Sequence, residues 1–365
     1  RQVDVFGGFT AAAGQSIYTA RNYPSEFWNK VALVCEPTGR LIHKNFIEQV
    51  GSGFKEKGDG WNLVASADEW FGPIQSEVGP DGNVWITDWY DFIIQHNPTP
   101  KGFDNGKGNA HINPLRDHER GRIYRLVYKD GAVNAPISLD KNDKAGLLKA
   151  LSNNNMFWRT TAQRLLVENK DPSVAPDLIN IINTSQVDAA GVNAPAIHAL
   201  WTLHGLGLLK NNANAVTAAT KALNNASGGV RKAAVEVLKE LPSALKAYQN
   251  AKVFEDVDFR VRLAAVIAIA DMKPSTEAYT ILNKMLLVKE NTDDKWINLA
   301  LRSARGAHIK MSKEKNAVAT IIDQTINISV IKNQMKYDLT EFTVKAGSTI
   351  KINFINVDYM QHNLL

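Results

Sequence analysis

The side chains able to do chemistry gather in the first third of the chain. Asp68, Glu69, Asp81, Asp88 and Asp91 are followed by His96, His111, Arg116 and His118. Carboxylates at this density can hold calcium or the hydroxyls of a sugar, and an imidazole beside them can take a proton as a general base. Asp88 and His96 are therefore the catalytic candidates. Asp68, Asp91, His111 and Arg116 are the candidates for holding a cofactor. A plainer reading stands beside each: Asp81 belongs to the turn Gly79-Pro80-Asp81-Gly82, and Asp88 caps a strand end. Trp70, Trp85, Trp89 and Tyr90 can stack on a sugar, but aromatics this dense also build cores. The loop from Asn97 to Glu119 is long, polar and rich in Gly, Pro and Asn, which marks it as a ligand-facing or interface element.

Those residues must be positioned by a chain long enough, at 365 residues, for two or three domains. The net charge of +5 is small for this length and the lysines are spread, which argues against nucleic-acid binding. The single cysteine, Cys35, excludes an intrachain disulfide and a Cys-x-x-Cys-His haem site, and its apolar setting reads as a buried strand thiol. No apolar run reaches the roughly 18 residues that would span a membrane. Both ends look cut from something longer.

Residues 1–132 carry short strand signals separated by turns, among them Lys30 to Glu36, Ile74 to Val78 and Gly121 to Val127. The GPDG turn joins two of them, with Pro presetting φ and Gly supplying positive φ. Beyond a linker at 133–140 the composition shifts to Ala, Leu, Lys and Asn. Across 141–310 five segments place small or apolar residues on one helical stripe. The clearest are Val230, Ala233, Ala234, Val237 and Leu238, and Val261, Ala264, Ala265, Ala268 and Ile269. Their spacing, roughly 31 to 38 residues, suits a repeat of two helices and two turns. Arg231 and Arg262 hold equivalent places and are expected to bridge adjacent repeats. His198 and His204 do not share a metal-binding face. After a linker at 311–319, residues 320–365 alternate again: Thr320 to Ile331, then Phe342 and Val344, an Ala346-Gly347 turn, and Ile350, Ile352 and Phe354.

Three resemblances extend this reading. The stretches GQSIYTARNYPSEFWNKVALVCEPTGRLI, SADEWFGPIQSEVGPDGNVWITDWYDFIIQHNP and GRIYRL resemble the last blades of exported, sugar-dehydrogenase-like β-propellers, the family of putative membrane-bound dehydrogenases. Val-Arg-x-Ala-Ala at 230–234 and 261–265 resembles HEAT or bilin-lyase-type repeats. The closing Met360-Gln361-His362-Asn363 resembles the first ligand turn of a plastocyanin- or azurin-type cupredoxin. That resemblance implies His362 as one ligand of a type 1 copper and Asn363 as its supporting neighbour, with the remaining ligands outside this sequence.

Taken together, the expected fold is a multidomain mixture of β and α. It comprises partial β-propeller blades, an α-solenoid of about five HEAT-like helix pairs, and the N-terminal half of a cupredoxin sandwich at 320–365. The implied function is part of an exported oxidoreductase, periplasmic or outer-membrane-associated. A quinone- or calcium-dependent sugar or alcohol dehydrogenase would pass electrons through the scaffold to copper. Its partners would be a carbohydrate or alcohol substrate and a redox partner or cell-envelope protein complex. The competing expectation is a non-enzymatic scaffold that binds glycans or proteins.

Overall fold

The computed structural model describes residues 12–91, 119–131, 137–315, 323–332 and 336–357. The N-terminal part is built from local antiparallel pairing. Strands β1 (Ala13–Ile17), β2 (Val31–Glu36), β3 (Leu41–Val50) and β4 (Gly53–Lys57) lie in that order, and β5 (Val64–Ala65) pairs with the start of β3 in a five-stranded sheet. A second sheet orders β6 (Pro73–Val78), β7 (Val84–Asp88) and β8 (Arg122–Leu126). The Gly79–Gly82 turn joins β6 to β7 as its residues dictate, with Gly82 at φ +80° and Gly79 N–H donating to the Asn83 carbonyl at 2.8 Å.

The sheets meet where β1 and β2 pack on β6. Tyr18, Val31, Leu33, Cys35, Ile42 and Val84 are fully or almost fully buried there. Burial pushes the Cys35 thiol up from its ordinary pKa, so it stays an inert core thiol. Tyr18 and Tyr23 stack at 4.5 Å, and both hydroxyls are used. Tyr18 Oη donates to the Gly82 carbonyl and accepts from Asn22 and Tyr23 N–H, while Tyr23 Oη accepts from Val84 N–H. A buried aromatic thus ties the turn of one sheet to the lead-in of the other.

The helical part comprises α1 (Lys144–Ala150), α2 (Met156–Asn169), α3 (Ala175–Thr184), α4 (Ala194–Gly205), α5 (Ala213–Ala222), α6 (Gly228–Leu238), α7 (Ala244–Asn250), α8 (Phe259–Ala270), α9 (Thr276–Leu286), α10 (Lys289–Asp293) and α11 (Lys295–Lys315). Helices α2, α4, α6, α8 and α11 pack in sequence along one layer. Behind them lie α1, α3, α5, α7 with its following turn Val253–Glu255, and α9. The apolar stripes make one continuous core: Ala196, Ala199, Leu200 and Leu203, then Val230 and Ala234, then Val261 and Ala265, then Ile297, Leu301 and Ala304 are all buried. Small residues let the axes approach, and no single pair could bury its stripe alone.

Polar contacts repeat along the same layer. Arg159, Arg231 and Asn298, each at the fourth position of its helix, donate to the backbone carbonyl six residues earlier, at 2.6, 2.8 and 2.9 Å. Arg262 does the same through Nε to the Asp256 carbonyl at 2.5 Å. Arg231 also clamps Asp256 in the next repeat, with Nε–Oδ2 at 2.6 Å and Nη2–Oδ1 at 2.7 Å. The bridging expected of Arg231 and Arg262 is present.

Near the C-terminus β9 (Gln324–Ser329) and β10 (Ile350–Ile355) form a two-stranded parallel sheet. The turn at Ala346-Gly347 is present, with Gly347 at φ +84°. Phe342 and Val344, expected on a strand, lie outside any strand and are exposed. The fold is therefore a mixture of helices and small sheets, and no propeller or barrel closes among the described residues. The blade expectation rested on short strands and hairpin turns. Those are local signals, and any antiparallel meander satisfies them equally.

Candidate functional site

Two places collect polar side chains. The first is the end of the β6–β7 hairpin. Asp88 closes β7, and its Oδ1 accepts from the N–H groups of Gly72 and Tyr90, both at 2.8 Å. Its Oδ2 is buried without a hydrogen-bond partner among the described residues. Asp91 is fully buried just beyond. Asp68 lies exposed across the strand ends, 3.5 Å from Arg122, whose guanidinium sits 3.4 Å over the Tyr90 ring. Glu69, Asp68, Asp91 and Asp88 all act on one cation, Arg40. Burial lowers the Arg40 pKa and these four carboxylates oppose that shift.

Asp68, Asp88 and Asp91, chosen from sequence, are thus brought to one end of the sheets. Arg40, which joins them, carried no signal beyond its place after a turn glycine. Asp81 is a turn residue: its carboxylate accepts from Asn83 and Trp85. His96, His111 and Arg116, together with His362 and Asn363, lie outside the described residues. Among the described residues no group of three or more His, Cys, Asp or Glu could hold a metal ion. The visible work of Asp68, Asp88 and Asp91 is to act on Arg40 and, through Asp88, to anchor the Phe71-Gly72 turn and the Tyr90 backbone.

The second place is the seam between the β sheets and the helices, and it is far more extensive. The N-terminal ends of one helical layer face the sheets, and their capping residues reach across. Asn155, which caps α2 by accepting from Phe157 N–H, donates to the Gly79 carbonyl at 2.8 Å. Trp158 Nε1 donates to the Pro80 carbonyl at 2.8 Å. Before α4, Asp188 takes Arg21 at 2.6 Å. Asp258 caps α8 through Arg260 N–H and accepts from Gln49 Nε2 at 3.1 Å. Asp294 caps α11 through Trp296 and Ile297 N–H. It also receives Ser52 N–H at 2.8 Å and Ser52 Oγ at 2.6 Å.

The electrostatics fit a rigid grip. Partial burial would raise the Asp294 pKa, but hydrogen bonds from Ile297, Ser52 and Trp296 hold it below the ordinary carboxylate value. Arg159, buried beside this seam, is brought down to about 10 by burial first and Arg21 second. The β3–β4 turn fits Asp294 closely: Gly51 has φ +59°, and a Cβ there would stand 2.2 Å from Asp294 Oδ2.

Residues 1–130 match the family described as "Domain of unknown function (DUF7133)". No curated protein matches. Among solved structures, the complex of CpcE and CpcF of phycocyanin lyase from Nostoc is similar at 18% identity and a TM-score of 0.34. The match covers 44% of this chain and 96% of that one. These findings correct the resemblance drawn above. The residues taken for dehydrogenase blades fall in a match to a domain of unknown function, and no dehydrogenase or copper-protein family matches them. The copper-coupled oxidoreductase is therefore withdrawn, and with it the cupredoxin assignment, which no match supports; His362 and Asn363, on which it rested, lie outside the described residues. No helix among the described residues is long and apolar enough to cross a membrane.

Proposed function

We propose that this chain is a non-enzymatic, protein-binding scaffold, in which HEAT-like helical repeats grip the N-terminal sheets and present their own free surface to a protein partner. The seam carries this reading. Asn155, Asp188, Asp258 and Asp294, spread over the length of one helical layer, all bond to the β part. The last repeats also expose large apolar side chains: Val257, Leu287, Trp296 and Leu299 are each more than half accessible. Such residues on an otherwise polar array suit a protein surface better than a glycan.

Two measurements test it. Asp294→Ala and Asp188→Ala should each speed amide exchange in β1–β4, because the strands lose an anchor. Unchanged exchange in both would sink the grip. Cross-linking from the native source should recover protein partners that Leu287→Asp with Leu299→Asp loses, and an identical set from both chains would remove the partner surface.

A further inference from the structure

The rungs of the arginine ladder are not equal: among the described residues Arg231 alone is clamped by a carboxylate, and of the others Arg262 opens on a cleft. Arg231 is saturated: its Nε and Nη2 clamp the Asp256 carboxylate, and its Nη1 serves the Asn225 and Ala226 carbonyls. Arg262 stands one repeat on, only 8% exposed, with its guanidinium 4.4 Å over the Phe259 ring. Where Arg231 meets a carboxylate, Arg262 meets the neutral amide of Asn291, at 2.9 Å from Nη1. Glu290 approaches only to 3.4 Å, and its side chain is 68% exposed. Among the described residues Arg262 Nη2 makes no hydrogen bond.

Arg262 and Asn291 line a cleft of about 310 Å³ between the α7–α8 turn, α8, α9 and α10. Phe254, Ile281, Met285 and Val288 supply apolar wall, and Lys252 and Lys284 add positive charge against Glu255 and Glu290. Gln249 also lines it, and its amide oxygen is buried without a partner among the described residues. Turned over, the same amide places an N–H there. A buried cation with a spare donor, a second unsatisfied polar group and an apolar wall form a site for one anionic head on a short apolar body.

We propose that this cleft binds a small apolar carboxylate, its head on Arg262 Nη2 in the place that Asp256 occupies on Arg231, its body against Ile281 and Met285. The cation comes from the chain and the compensating charge from the ligand, so a neutral analogue of the same shape leaves Arg262 as it was.

The test titrates the whole chain with octanoate, octanol and inorganic phosphate by calorimetry, with amide chemical shifts to locate the site. Octanoate should bind at one site, with shifts centred on α8–α10. Octanol and phosphate should each bind at least tenfold more weakly. Lys284→Glu, an exposed change at the mouth, should weaken octanoate about tenfold. Ile281→Trp, which fills the cleft, should abolish binding while leaving the circular dichroism spectrum intact; if that variant does not fold, Lys284→Glu decides. Octanol as tight as octanoate would reduce the cleft to a greasy hole. Phosphate as tight as octanoate would remove the apolar half of the argument. Indifference to Lys284→Glu, or shifts elsewhere in the chain, would overturn the site.

Discussion

Replacing Asp256 by Asn takes the carboxylate from the saturated rung at Arg231 and leaves that arginine, like Arg262, facing a neutral amide. Both partners of the pair are nearly out of water, with side-chain exposures of 13% and 8%. Removing one charge then leaves the other buried and uncompensated, which typically costs about 3–5 kcal/mol. The lower end applies here. Arg231 keeps its bonds to the Asn225 and Ala226 carbonyls, and an Asn side chain can still accept one hydrogen bond. At about 2–4 °C per kcal/mol for a cooperative unit of this size, a loss of about 3 kcal/mol lowers the melting temperature by about 6–12 °C. Thermal unfolding followed by far-UV circular dichroism reads this directly. The double variant Arg231→Met with Asp256→Asn should recover part of the loss, since it removes both charges. A fall below about 2 °C, or a double variant that loses the full sum of the singles, would show that the ladder does not couple the repeats.

Three further outcomes follow from the geometry. Burial, with a smaller push from Arg159, holds the His198 pKa down to about 4 from 6.5. The histidine is therefore neutral in the fold, and its stability contribution is complete above about pH 6.5 and lost as pH falls from there towards 4, at up to about 1.4 kcal/mol per pH unit. His198→Asn should flatten the pH dependence of urea unfolding across that window. Gly51→Ala, which drives a methyl onto the Asp294 carboxylate, should speed amide exchange in β3 and β4 as Asp294→Ala does, with α8 unaffected. Gly14→Ala meets the Ile74 carbonyl at 2.2 Å with φ at +52°, so it should cost more than about 2 kcal/mol in urea unfolding by prising β1 from β6.

What could be read from the chain, and what could not, divides by range. The stripes at Val230–Leu238 and Val261–Ile269 announce helices because periodicity is a property of neighbours, and the same holds for Gly79-Pro80-Asp81-Gly82 as a turn. Equivalent arginines at 231 and 262 announce a repeat for the same reason. The dehydrogenase and cupredoxin resemblances failed where they passed from local grammar to a family. Hairpin signals and a four-residue Met-x-His-Asn motif are compatible with many sheets. Of the residues chosen for chemistry, Asp68, Asp88 and Asp91 do meet, yet they meet around Arg40, and no spacing rule connects residue 40 with residues 68 to 91.

The seam shows why its residues escaped notice although each has a legible local role. Asn155, Asp258 and Asp294 are good helix caps, and a reader of the sequence stops there. A cap that accepts from one or two N–H groups leaves acceptor sites on a carboxylate, and an NH₂ group on an amide, still unused. Asp294 gives its first oxygen to Trp296, Ile297 and Ser52 Oγ, and its second to Ser52 N–H, a partner 242 residues away. Asn155 divides its work the same way, oxygen to its own helix and nitrogen to the Gly79 carbonyl. Because successive repeats bring successive caps to one edge, the fold turns a set of local helix-start signals into a line of docking groups. Local sequence signals specify each member of that line, and the stacking of the repeats alone decides that the members face a common partner.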